Sequence, residues 1–222
     1  MTKALRCRMD VLPEPQQRLW SKLRPATDLG FVLYGGTAIA LRLGHRSSVD
    51  FDFFSDCPLN RTQLTESIPV LSRSTVIQDE RNALTFLVPD TSSDHIKLSF
   101  FGAIGFGRVG VPDLTEDEML CLASLDDLMA TKLKVILQRA EAKDYHDIAA
   151  MIGSGVSLAK GLASARLFYG PNFQPSESLR ALVFFEDGDL QELSRDEKST
   201  LVQAASLVRE LPSVALLSKR LP

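Results

Sequence analysis

The sequence predicts an α+β fold of mixed α/β character, with a small mixed sheet flanked by helices and then a helical second half. Three observations carry this. Residues 31–56 read as strand, glycine turn, short helix and strand, and residues 74–101 hold three short apolar runs separated by turn formers. From Ser124 onward, apolar residues recur at helical spacing.

Along the chain, residues 14–24 place Leu19, Trp20 and Leu23 on one helical face, and Pro25 is expected to end that element. The apolar run 31–34 meets Gly35, Gly36 and Thr37, a turn with almost no side-chain bulk. A short helix follows through Ala38, Ala40 and Leu41. Residues 49–54 then alternate apolar with acidic, which reads as a half-buried strand with Asp50 and Asp52 on one face. Residues 55–58 look like a helix start, with Pro58 in the first turn of a helix reaching 68. Strands are expected at 74–78, 83–88 and 95–101, with hairpin spacers at 79–82 and 89–92 and a long loop over 102–117. Ser124 is suited to cap a helix whose Leu128, Met129, Leu133, Ile136 and Leu137 face inward, with Asp126 and Asp127 favoured in its first turn. Further helices are expected at 143–152, 157–169, 176–185 and 194–211. This divides the chain into an α/β core over 1–120 and a helical region over 121–222.

Composition bounds the rest. The 222 residues are 45% hydrophobic and 24% charged with a net charge of −3, ordinary for a soluble globular protein and unlike a chain coated in positive charge. Cys7, Cys57 and Cys121 are scattered without a CxxC pair, which suits a reduced, cytoplasmic setting. No apolar signal core opens the chain and no run approaches membrane-spanning length, so no membrane role is expected. His45, His95 and His146 have no metal-ligand spacing, which argues against zinc.

The chemistry gathers in 31–56. Two like charges on a half-buried face are costly unless neutralised, and carboxylate oxygens are the ligands Mg²⁺ prefers. A glycine turn at a helix start lets backbone N–H groups approach an anion. One stretch therefore offers a phosphate cradle and an acid pair, a combination that suits a nucleotide–Mg²⁺ site. Metal-dependent glycosyltransferases and dehalogenase-like phosphatases also use DxD, but neither accounts for Gly35-Gly36-Thr37.

Residues 35–54 resemble motif I of the nucleotidyltransferase superfamily, in particular the AbiEii-type toxin family of toxin–antitoxin and phage-abortive systems. The resemblance lies in Gly35-Gly36-Thr37, a helix ending at Leu43-Gly44-His45-Arg46, and Asp50-Phe51-Asp52-Phe53-Phe54. A second block is similar to the family's downstream pattern: Ala123-Ser124-Leu125 through Lys132, then Arg139 and Lys143-Asp144-Tyr145-His146-Asp147-Ile148. The resemblance covers residues 15–155. It implies a nucleotidyltransferase-like core, a helical region completing the active-site cleft, an NTP substrate, and Mg²⁺ as cofactor with Mn²⁺ as an alternative ion. Asp50 and Asp52 would ligate the metal, and Gly35, Gly36 and Thr37 would hold the phosphates. Lys132 would contact phosphate as a point charge; the competing reading is a solvated lysine beside Lys134. Asp144 would be a second essential acid, activating the acceptor or positioning Lys132. Arg46 either joins the nucleotide site or pairs with an acid. Asp147, one helical turn from Asp144, shares its face or forms a surface ion pair with Lys143.

By the same resemblance the chain transfers a nucleotide to a macromolecular acceptor, RNA (tRNA ends especially) or a protein hydroxyl, as a toxin with a cognate antitoxin. RNA calls for a basic groove. Lys132, Lys134, Arg139, Lys143, Lys160 and Arg166 could supply one, and a solvated helical face explains them equally. The alternatives are a small-molecule, antibiotic-type nucleotidyltransferase and a non-catalytic nucleotide-binding partner protein. One departure stands out: where many nucleotidyltransferases carry a third acid on a later strand, residues 96–100 offer Ser99 and no carboxylate.

Overall fold

A computed structural model describes residues 4–90 and 95–222. The chain forms two compact units. One takes the chain up to Gly107 with Val111–Ala123 and Lys219–Pro222; the other takes Arg108–Gly110 with Ser124–Ser218.

The first unit is built on a mixed sheet. Its strands are β1 (Val32–Tyr34), β2 (Phe51–Phe54), β3 (Thr75–Glu80), β4 (Ala83–Pro89), β5 (His95–Phe101), β6 (Asp113–Leu114) and β7 (Cys121–Leu122), in the order β3-β4-β5-β2-β1-β7-β6. β2 runs antiparallel to β1 and parallel to β5, so the central acid-bearing strand is paired on both sides. Strand alternation sends Phe51 and Phe53 to one face, where both are fully buried. Phe53 stacks on Phe100 with centroids 5.1 Å apart, and the indole of Trp20 lies 6.5 Å from Phe51. Asp50, Asp52 and Phe54 take the opposite face, each only partly buried.

Helices α1 (Glu14–Trp20), α2 (Arg24–Asp28), α3 (Gly35–Leu43) and α4 (Arg61–Ser67) complete this unit. Several local expectations need correction. Pro25 does not end the first helix; α1 closes at Trp20, and Pro25 sits in the first turn of α2, where a missing N–H costs nothing. Pro58 does not open α4; the side chain of Asn60 accepts from the Gln63 N–H at 3.1 Å and caps it two residues later. The first hairpin turn is tighter than the expected 79–82, because β3 continues to Glu80. The second spacer, 89–92, passes outside the described residues beyond 90. Within the expected loop 102–117, Asp113 and Leu114 pair with β7, and the Leu5 N–H donates to the Leu114 carbonyl at 2.9 Å.

The second unit is helical: α5 (Leu125–Val135), α6 (Ala142–Gly153), α7 (Leu158–Tyr169), α8 (Pro175–Leu182) and α9 (Arg195–Leu207). The Ser124 hydroxyl accepts from the Asp127 N–H at 3.1 Å, so it caps α5 as its sequence suggests. Ser194 and Glu197 form a reciprocal capping box on α9. α9 stops at Leu207, short of the expected 211. Asp127 is buried, and burial pushes its carboxyl up even though it accepts from Ser124 Oγ and from the Val109 and Gly110 N–H groups. That carboxylate ties the 108–110 segment to the start of α5. Among the described residues no helix is long and apolar enough to cross a membrane.

The Phe51–Phe53–Phe100 cluster fixes the acid strand from behind. Phe53→Ala is expected to lower stability by about 3–5 kcal/mol, read as a shifted midpoint in urea unfolding.

Candidate functional site

In the first unit the site is assembled by one close approach. Gly35 opens α3 with φ of +71°, a left-handed conformation that L side chains rarely adopt. A Cβ at this position would lie 2.7 Å from Asp52 Oδ2. Glycine is therefore required twice over, by its backbone angle and by the carboxylate packed against it. Asp52 is held in the sheet between Tyr34 on β1 and Ser99 on β5. Its pairing continues outward from Ser99 to Thr85 and from Thr85 to Gln78, so a polar row crosses four strands on the acid face.

Asp50 is held differently. It lies just before the ladder, and its approach is fixed by bonds from elsewhere in the unit. The buried Thr37 hydroxyl donates to the Asp50 carbonyl and meets Ser48 Oγ at 2.8 Å. The Gln16 amide donates to the Val49 carbonyl at 3.0 Å, and the Ser48 N–H donates to the Val11 carbonyl at 3.2 Å. Thr37 is expected from the sequence to hold phosphate. Its hydroxyl is instead engaged in positioning Asp50, which leaves its backbone N–H in the first helical turn as the group able to meet an anion. Arg46 donates from Nη1 to the Ser47 carbonyl at 2.9 Å. Gln16 carries no sequence signal, since its role depends on a hydrogen bond across 33 residues.

Two carboxylates on one strand face, beside a helix start, fit a hard divalent cation that keeps water and substrate phosphates for its remaining positions. Asp50 and Asp52 are the residues able to hold it. Among the described residues no group of three or more His, Cys, Asp or Glu gathers at metal-binding distance.

In the second unit Lys132, Asp144 and Asp147 come together. Lys132 Nζ lies 2.5 Å from Asp144 Oδ1 and 2.7 Å from Asp147 Oδ2, and both carboxylates are fully buried. Arg139 adds Nε to Asp144 Oδ2 at 2.8 Å and Nη2 to Oδ1 at 3.2 Å. Burial pushes the Asp144 carboxyl up, but the Arg139 hydrogen bonds and the Lys132 charge outweigh this and hold it below the usual carboxylate range. The solvated-lysine reading of Lys132 is thereby overturned. So is an Asp147–Lys143 surface pair: Lys143 pairs with Glu141 at 2.7 Å, and Asp147 faces Lys132. Of the other basic residues expected to line a groove, Lys160 pairs with Asp126 at 2.6 Å and Lys134 donates to the Asn172 carbonyl at 2.8 Å, while Arg166 is exposed.

Two outcomes are expected. Gly35→Ala should displace Asp52 and cost about 1 kcal/mol or more of stability from the left-handed backbone alone, measured by chemical denaturation. Lys132→Met should leave two buried carboxylates without their shared cation and cost about 3–5 kcal/mol at neutral pH. In that variant Asp144 keeps Arg139 but the buried Asp147 carboxylate loses the cation facing it, a cost that protonation at lower pH relieves. In the wild type Asp144 is depressed, so its contribution is present above the unfolded value and lost as pH falls through the folded one. Urea unfolding of the variant at neutral and mildly acidic pH should show the deficit narrowing on acidification.

Comparison with known proteins places the chain in a family. A family model described as nucleotidyl transferase AbiEii toxin, type IV toxin–antitoxin system, matches residues 18–215. An uncharacterized protein of Aquifex aeolicus is 31% identical over 159 residues, covering 71% of this chain and 74% of that protein. Two solved structures share the fold. One is an antigenic nucleotidyltransferase-like protein of Paracoccidioides brasiliensis, with a TM-score of 0.55 at 17% identity, covering 90% of this chain and 95% of that one. The other is the nucleotidyltransferase toxin MenT4 of Mycobacterium tuberculosis, with a TM-score of 0.52 at 13% identity, covering 87% and 92%. With the glycine-opened helix seated against an acid strand in a mixed sheet, and a family match over most of its length, the chain belongs to the AbiEii nucleotidyl transferase toxin family.

Proposed function

We propose that this chain is a Mg²⁺-dependent nucleotidyltransferase that moves a nucleotide from an NTP to a macromolecular acceptor, an RNA such as tRNA or a protein hydroxyl. It acts in this reading as a cytoplasmic toxin held in check by a cognate antitoxin. The observation that carries the proposal is the packing of Asp52 against Gly35, with Asp50 on the same strand face. Membership of a nucleotidyl transferase toxin family, and the likeness in fold to the nucleotidyltransferase toxin MenT4, support the same reading.

In this reading Asp50 and Asp52 hold the cation and the first turn of α3, at Gly35, Gly36 and Thr37, receives phosphate through backbone N–H groups. Mg²⁺ held there would supply charge neutralisation for the triphosphate, whose α-phosphate takes an acceptor hydroxyl as pyrophosphate leaves. Thr37 keeps Asp50 in place through its carbonyl. Lys132 and Asp144 enter on the family's pattern. They form a closed ion cluster in the helical unit, so the effect of their variants on transfer has to be read beside the effect on folding.

The test is incubation of the protein with each NTP labelled at the α-phosphate, Mg²⁺, and total RNA or cell protein. Wild type is expected to label one acceptor class. Asp50→Ala and Asp52→Ala should each reduce that label by about 100-fold or more while remaining folded. Equal labelling by wild type and both variants would remove the acid pair from the mechanism.

A further inference from the structure

The sheet face that carries the acid pair also carries a cation. β5 lies parallel beside β2, with Leu98 paired to Phe51 and Ser99 to Asp52. Lys97 is the next residue back along β5, and its Nζ lies 4.0 Å from Asp50 Oδ2. The two side chains are 44% and 40% exposed, so the pair stands open to solvent, where an ion pair of this length contributes little to stability. Residues 96–100 bring no carboxylate to the acid pair; Lys97 is the charged group this strand presents there.

An ammonium at this place has two consequences. It repels a second divalent cation from the Asp50 side of the pair, and it offers three N–H donors to a polyanion. Resting on the reading of Asp50 and Asp52 as the Mg²⁺–NTP site, we propose that Lys97 is a nucleotide-binding residue that stands in for a second metal ion. It exchanges Asp50 for a phosphate oxygen of the bound triphosphate, and the site takes one divalent ion. The exchange is favourable because a long, solvated contact is replaced by a charge-assisted hydrogen bond to phosphate. The flexible lysine stem lets the ammonium follow the phosphate without disturbing the strand.

The test is a titration with Mn²⁺ in the presence of a non-hydrolysable NTP analogue, with free Mn²⁺ read by electron paramagnetic resonance and analogue binding by calorimetry. Wild type is expected to take up one Mn²⁺ per chain. Lys97→Met should bind the Mn²⁺–analogue about tenfold more weakly, with an unchanged melting temperature. Two Mn²⁺ per wild-type chain, or unchanged analogue affinity in Lys97→Met, would overturn the proposal. Asp50→Ala separates this from the underlying reading. If that variant binds Mn²⁺–analogue as wild type does, the acid-pair reading itself fails. If it loses binding while Lys97→Met keeps it, only the role of the lysine falls.

Discussion

The contact between Gly35 and the Asp52 carboxylate is the constraint on which the candidate site depends. A helix can begin against a charged strand only if its first residue brings no side chain and tolerates a left-handed backbone, and Gly35 meets both conditions. The remainder of the first unit serves that approach. The phenylalanine cluster fixes the rear of β2, and pairing on both edges fixes its length and register. Moving Asp52 would require breaking a fully paired central strand. That rigidity is what a constellation of charged groups needs if it is to be organised before its ligand arrives.

The helical unit follows another principle. Its central polar feature is a network of two buried carboxylates, a buried lysine and a partly exposed arginine. Such a network contributes little net stability over an apolar core, but it penalises any packing that leaves one member unpaired. The basic residues that suggested an RNA-binding groove are largely joined to acids or carbonyls of the same unit: Lys160 to Asp126, Lys143 to Glu141, Lys134 to Asn172. Lys143 and Lys160 each share their charge with a neighbouring acid, while Lys134 meets a neutral carbonyl.

Much of this was legible in the sequence because it is local. The alternation around Asp50 and Asp52 gave the strand and its two faces, and the family pattern around Gly35 gave the architecture. Ser124 announced α5 because capping chemistry lies within a few residues. The errors have equally physical origins. Pro25 is compatible with either the end or the start of a helix, and only packing decides. β6 and β7 are two residues each, too short to show a period, and exist because β1 offers an edge to Leu122. The Lys132–Asp147 pair was hidden because Lys143 lies nearer in sequence, and helix spacing alone does not tell which partner reaches a buried carboxylate. The Thr37–Asp50 bond closes 13 residues and the Gln16–Val49 bond 33, and neither leaves a periodic pattern.

The two acids differ in how firmly they are held. Asp52 is set within a ladder hydrogen-bonded on both flanks, whereas Asp50 precedes that ladder and is steadied by hydroxyl and amide side chains reaching over from α3 and α1. On the proposed reading the pair is one donor held by the ladder and one held by side-chain bonds to the backbone around it. If the pair takes an ion and a triphosphate as proposed, a change in ion radius or angle of entry falls first on Asp50, outside the ladder, and Asp52 keeps its place. Tolerance and precision are in this way assigned to different residues only two positions apart.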